Sequence, residues 1–127
     1  MSKKFGFIPV NIPKLFKEEE NNVIECIKTN WISSEGKFVK IFENNFSKFN
    51  ERKYGVAVSS GTAALEIAVK SLNLKKNSEV IIPSFSIIST ALCVVKLGFK
   101  PVLVDCKIDT WNSNPDDILK KINKKTS

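Results

Sequence analysis

Three short apolar runs, Gly55-Val56-Ala57-Val58, Glu79-Val80-Ile81-Ile82 and Pro101-Val102-Leu103-Val104, punctuate the chain from Gly55 onward, and a helical stretch follows each of the first two directly. A run that is apolar along its length, rather than on every second residue, suits a strand covered on both faces. Strands alternating with helices in this way predict an α/β fold with a parallel-rich sheet and flanking helices. The first run closes at Ser59-Ser60-Gly61-Thr62 and leads into a helix over residues 63–72. The second closes at Pro83 and leads into a helix over residues 86–97, with Gly98 at its end. The third closes at Asp105. Asn114-Pro115-Asp116-Asp117 then opens a last helix with a capping side chain, a proline at the first helical position and acids in the first turn.

Upstream the rhythm differs. Ile8-Pro9-Val10-Asn11-Ile12-Pro13 reads as extended, because each proline pushes its predecessor out of the helical region. Residues 15–29 read as a helix, with Glu18, Glu19 and Glu20 where the dipole favours acids and Val23, Ile24 and Ile27 on one face. The stretch from Asn30 to Gly36 breaks that pattern and reads as a loop. Residues 37–49 resume it, with Phe38, Val39, Phe42, Phe46 and Phe49 at steps of three and four. Such an aromatic stripe is expected to pack on a core rather than to form a ligand box. The chain thus divides into a helical N-terminal extension, residues 1–53, and an incomplete α/β domain, residues 54–127.

The 127 residues contain no histidine, which excludes any Ser-His-Asp or Cys-His scheme within them and most catalytic metal sites. Cys26, Cys93 and Cys106 are odd in number and far apart, which argues against a disulfide framework or a zinc site and suits a reducing cytoplasm. The net charge is +7, carried by lysines with Arg52 the one arginine. Those lysines are scattered apart from the stretch between Lys120 and Lys125, and base readout favours arginine, so no nucleic-acid partner is expected. No apolar run approaches the roughly 20 residues of a membrane span. The start, Met1-Ser2-Lys3-Lys4-Phe5-Gly6-Phe7, leads into no apolar stretch of the kind a secretory signal has. A cytoplasmic protein without a membrane partner is the expectation.

In an open α/β sheet, ligands bind beyond the carboxyl ends of the strands. Three such ends are available: Ser59 to Thr62, Pro83 to Ser86, and Asp105-Cys106. The first is the most informative. A Ser-Gly-Thr turn directly after a strand places unpaired backbone N–H groups at the start of the next helix, and glycine permits close approach. Thr62 adds a hydroxyl. The turn is therefore either an anion site or an ordinary helix cap made by Ser60 or Thr62. It lacks the Gly-Lys-Ser/Thr ending of a Walker loop and the further glycines of a dinucleotide fingerprint.

Three ordered blocks carry a resemblance: Val58-Ser59-Ser60-Gly61-Thr62-Ala63-Ala64-Leu65-Glu66-Ile67-Ala68, Glu79-Val80-Ile81-Ile82-Pro83-Ser84-Phe85-Ser86, and Gly98-Phe99-Lys100-Pro101-Val102-Leu103-Val104-Asp105. In order and spacing they are similar to the DegT/DnrJ/EryC1/StrS family of sugar aminotransferases. Ile8-Pro9-Val10-Asn11, the stretch from Thr29 to Val39, and Asp109-Thr110-Trp111-Asn112 resemble its perosamine-synthase branch, which aminates a nucleotide-linked 4-keto-6-deoxy sugar. The resemblance implies the large domain of a fold-type I pyridoxal-phosphate (PLP) enzyme, homodimeric when full length. It also implies two substrates, a nucleotide sugar and an amino-acid donor, commonly glutamate. Gly61, Thr62 and Ala63 would hold the PLP phosphate. Ile87 stands where many members place an aromatic residue on the cofactor ring; it would cover the ring by apolar contact, or else be an ordinary core residue. The loop at 30–37, with Trp31, Ser34 and Lys37, would face the substrate, or else be a solvated loop.

An aminotransferase of this kind needs a lysine to carry the cofactor and an acid to pair with its ring nitrogen. In the family both lie downstream of the block ending at Asp105, and none of the nineteen lysines matches the cofactor-bearing one. The resemblance therefore assigns no catalytic residue, and no turnover is expected of these 127 residues alone. Family sheet order also sets the first strand apart from the second and third, so the sheet is expected to be incomplete. A non-catalytic paralogue or fragment that binds a phosphate ligand or a full-length partner is the alternative.

Overall fold

The structure, a computed structural model, describes residues 6–127; the lysine-bearing start from Met1 to Phe5, read above for a leader, lies outside the described residues. The chain forms two compact units, Met1–Ala57 and Val58–Ser127. The boundary expected from sequence stood slightly upstream, between residues 53 and 54.

The first unit holds α1 (Lys17–Lys28) and α2 (Lys37–Phe49). At the start of α1, the Phe16 N–H donates to the Glu19 carboxylate at 2.7 Å, so a first-turn acid ties off the entering backbone. At its end the Thr29 hydroxyl donates to the Glu25 carbonyl at 2.8 Å, and Asn30, at φ 57°, turns the chain away in a conformation asparagine tolerates. Along α2, Phe42 and Phe46 stack with ring centroids 5.4 Å apart. The stripe was expected to pack on a core, yet Phe42, Phe46 and Phe49 are exposed. The stacking partner one helical turn away, at i+4, is what the described residues give those two rings.

Residues 55–57 are fastened to α2. The Ala57 N–H donates to Glu43 Oε1 at 2.8 Å, and a Cβ on Gly55 would stand 2.7 Å from the Glu43 carbonyl oxygen. The strand expected over residues 55–58 is therefore absent: the segment joins no ladder among the described residues, and a side-chain carboxylate takes up its Ala57 amide instead.

The second unit runs α3 (Gly61–Ser71), β1 (Glu79–Pro83), α4 (Ser89–Lys96), β2 (Lys100–Val104) and α5 (Pro115–Lys121). β1 and β2 pair in parallel, from Glu79 opposite Lys100 to Pro83 opposite Val104, with α4 as the crossover that parallel strands require. Helix α4 starts at Ser89 rather than at Ser86, and the Ser86 hydroxyl instead bonds that of Thr90 at 3.0 Å. Ile82, Cys93 and Val94 form the core, with Val69, Val80, Ala91 and Phe99 against them. The sheet is not covered along both faces as its apolar runs suggested. Leu103, in register with Ile82, is 54% exposed, because two strands and their helices supply cover on only part of the surface.

Two carboxylates fasten the C-terminal part of the unit to its strands. Glu79, nearly buried, accepts from Asn123 Nδ2 at 2.8 Å and pairs with Lys100 at 3.0 Å; these contacts, Asn123 first, hold its carboxyl below the usual range. Its backbone N–H donates to the Lys125 carbonyl at 2.8 Å and its carbonyl accepts from Ser127 N–H at 3.1 Å, so Thr126 makes a parallel bridge to β1 opposite β2. Asp117 accepts the Asp105 N–H at 2.8 Å and pairs with Lys121 at 2.9 Å, which lowers its carboxyl in the same way, the Asp105 N–H first. At the start of α5 the Asn114 side chain accepts from Asp116 N–H at 3.1 Å, the cap read from sequence. No helix of the described residues is long and apolar enough to cross a membrane.

Candidate functional site

The Ser60-Gly61-Thr62 turn opens α3, and Ser60 is its cap: the Ser60 Oγ accepts from the Ala63 N–H at 3.2 Å, and its carbonyl accepts from Ala64 N–H at 3.0 Å. The cap reading of the turn therefore holds, and it engages the amide of Ala63. The amides of Gly61 and Thr62 are first-turn donors with no intrahelical acceptor. A Cβ built on Gly61 would meet nothing within 4 Å, so open space lies directly against the backbone there. The Gly61 φ is not in the left-handed region, so the backbone conformation does not demand glycine.

That space is part of an open cleft of about 580 Å³ lined by Gly61, Thr62, Ala64, Leu65, Ala68, Ile87 and Ser89. The fold thus brings the turn after the first apolar run and the start of α4 onto one cleft, although the first run forms no strand. Ala63 is not among the lining residues; its neighbour Ala64 is. Ile87 precedes α4 and is 71% exposed, so it is not a core residue of that helix. The cleft is polar at one end, with two free amides and the hydroxyls of Thr62 and Ser89, and apolar along Leu65, Ala68 and Ile87. This arrangement suits a flat ring carrying an anionic group: the amides and the hydroxyl would take the phosphate oxygens, and the apolar wall the ring. The donor set therefore fits PLP. The third end, at Asp105, is closed: its amide goes to Asp117 and its own carboxylate accepts from Cys106 N–H at 2.8 Å.

The other candidates lie in the first unit. Trp31 and Lys37 line a pocket of about 370 Å³ with Glu25, Cys26, Thr29, Glu35, Phe38 and Lys40; Ser34 is not among its walls. The Trp31 ring rests on Gly36, where a Cβ would come within 2.8 Å of Cδ1. Lys37 is ion-paired with Glu25 and lies 4.9 Å over the Phe38 ring. Two acids thus balance two lysines in this pocket, and Lys37 must leave Glu25 before it can meet a diphosphate. Among the described residues no group of His, Cys, Asp and Glu is arranged to hold a metal ion.

Residues 13–127 match the model of the DegT/DnrJ/EryC1/StrS aminotransferase family. The chain belongs to that family. GDP-perosamine synthase of Escherichia coli O157:H7 is 38% identical over 120 residues, covering 94% of this chain and 33% of the relative. The enzyme of the same name from Vibrio cholerae is 35% identical, covering 94% of this chain and 32% of the relative. Among solved structures, the aminotransferase from Psychrobacter cryohalolentis superposes with TM-score 0.79 at 28% identity, covering 91% of this chain and 29% of its own. GDP-4-keto-6-deoxy-D-mannose-3-dehydratase of E. coli, with bound hydrated PLP, superposes with TM-score 0.84 at 26% identity, covering 94% of this chain and 32% of its own. The chain thus spans about a third of the length of the curated relatives it matches. DegT/DnrJ/EryC1/StrS aminotransferases are PLP enzymes, and the sheet-and-helix framework around Gly61 and Thr62 belongs to that fold.

Sequence reasoning passed over four lining residues, the apolar Ala64, Leu65 and Ala68 and the polar Ser89. The Ser89 hydroxyl accepts from Thr62 Oγ1 at 3.0 Å across 27 residues of sequence, a distance that no periodicity or short motif encodes.

Proposed function

We propose that this chain is the cofactor-phosphate end of a PLP-dependent sugar aminotransferase. The protein would move an amino group, with glutamate as donor, to the keto carbon of a nucleotide-linked 4-keto-6-deoxy sugar. The observation that carries the reading is the cleft itself: Gly61, Thr62 and Ile87, in a family member with 38% identity to a GDP-perosamine synthase, surround one open space. The names of the similar proteins favour a GDP-linked sugar.

When bound, PLP supplies the electron sink through which an amino group leaves the donor and reaches the sugar. The amides of Gly61 and Thr62 and the Thr62 hydroxyl would hold the phosphate by charge-assisted hydrogen bonds, and Ala63 N–H would join them only by leaving Ser60. Ile87 would cover the ring by apolar contact and exclude water from that face. In the first unit, Trp31, Ser34 and Lys37 serve the nucleotide sugar, Lys37 exchanging Glu25 for the diphosphate. The working enzyme is a homodimer in the cytoplasm, where its three free thiols stay reduced.

The test supplies the protein that carries this sequence with PLP, glutamate and GDP-4-keto-6-deoxymannose and follows the sugar by mass spectrometry. An amino sugar formed together with 2-oxoglutarate supports the reading. Loss of the sugar's 3-hydroxyl without a gained amine would place it with the dehydratase it superposes on, and recovery of unchanged sugar would remove catalysis altogether.

A further inference from the structure

We infer that Ser89 is a positioning residue for the cofactor phosphate, acting through Thr62; this rests on the reading of the cleft given above. Two observations carry it. The Thr62 and Ser89 hydroxyls lie 3.0 Å apart, half-buried, on the same cleft wall as Gly61 and Ile87. Ser89 also stands at the first position of α4, whose cap residue, Ile88, makes no side-chain cap. Ser89, one position past the cap, is not placed to close that start, and its hydroxyl lies against Thr62 of α3.

The chemistry follows from what a hydroxyl can do. Each has one proton to donate and two lone pairs to accept with. With the cleft free of an anion, Thr62 donates to Ser89. With a phosphate on the Gly61 and Thr62 amides, the Thr62 proton turns to a phosphate oxygen. Ser89 then reverses its role and donates to a lone pair of Thr62 Oγ1. The relay keeps both hydroxyls satisfied, fixes the Thr62 rotamer toward the anion and polarises its O–H bond. Without Ser89, Thr62 still reaches the phosphate, but as a free rotor with an unsupported oxygen.

The test uses the full chain and the cofactor's amine form, pyridoxamine 5′-phosphate, which makes no adduct with surface lysines. Pyridoxamine, lacking the phosphate, is titrated alongside it. Ser89→Ala should weaken pyridoxamine phosphate about fivefold, the loss expected of one hydrogen bond, and leave pyridoxamine unchanged. Ser89→Thr, which keeps the hydroxyl, should restore the affinity, and Ser89→Ala on top of Thr62→Ala should cost almost nothing further. Circular dichroism of each variant separates a binding loss from a folding loss. Equal weakening of both ligands, or a Ser89→Ala effect that persists in the Thr62→Ala background, would overturn the inference and leave the phosphate reading standing. No preference of the unsubstituted protein for the phosphorylated ligand would overturn both.

Discussion

A methyl group placed on Gly55 would lie 2.7 Å from the Glu43 carbonyl oxygen, whereas one on Gly61 would meet nothing within 4 Å beyond its chain neighbours and its own helix backbone. At Gly55 the obstacle is helix backbone, which has little freedom to yield. Gly55→Ala should destabilise the first unit by about 1–3 kcal/mol, measured as a shift in the urea midpoint. At Gly61 the fold makes no such demand, and the open space is where a ligand would approach. Gly61→Ala should leave stability within about 0.5 kcal/mol and still weaken pyridoxamine phosphate binding. Comparable losses of stability and binding at Gly61 would mean that the glycine serves the fold. Ser60 is the third informative residue here. Ser60→Ala removes the cap on Ala63 and should cost about 1 kcal/mol, read from thermal unfolding of the second unit.

At the scale of elements, β1, β2, the C-terminal residues and α5 are held by Glu79 and Asp117, and both carboxyls sit below their ordinary range in the folded chain. The folded form therefore binds fewer protons in acid than the unfolded chain does. Their contribution is complete above the ordinary carboxylate range and is lost as pH falls through it and on through the lower folded values. Urea midpoints should accordingly decline with acidification across that interval. Glu79→Gln should lower the midpoint at neutral pH and flatten the decline; an equally steep fall in the variant would remove Glu79 as its cause. The helices show how far sequence reasoning reaches at this scale. The Phe stripe and the Asn114-Pro115 cap depend on neighbours within a few residues, and α2 and α5 form where that pattern lies. The strand expected at residues 55–58 depends on a neighbouring ladder, and among the described residues that apolar run joins none.

Across the whole molecule, the buried apolar side chains of the described residues are few: Ile82, Cys93, Val94 and Val104. Large apolar side chains on the surface are many, among them Phe46, Phe49, Ile87 and Leu103. Exposed apolar area on this scale favours association over a free monomer. The 127-residue chain should bind the dye ANS strongly and elute from size-exclusion columns at a position that shifts with concentration. Weak ANS binding with an elution volume independent of concentration would show that this surface is better covered than the structure indicates.

By itself, the sequence determined what is local. The helical periods, the Asn114 cap and the Ser-Gly-Thr turn are all set by residues within a few positions of one another. The ordered blocks also sufficed to place the chain among the DegT/DnrJ/EryC1/StrS aminotransferases. Tertiary structure decided what depends on distant partners: that Gly61, Thr62, Ile87 and Ser89 share one cleft, that Glu25 holds Lys37, and that Glu43 ties down the segment expected to be a strand. The physical reason is common to all three. A hydrogen bond, an ion pair or a cleft wall is a property of where two side chains end up, and pairs far apart in the chain meet only through packing that periodicity and local propensity do not specify.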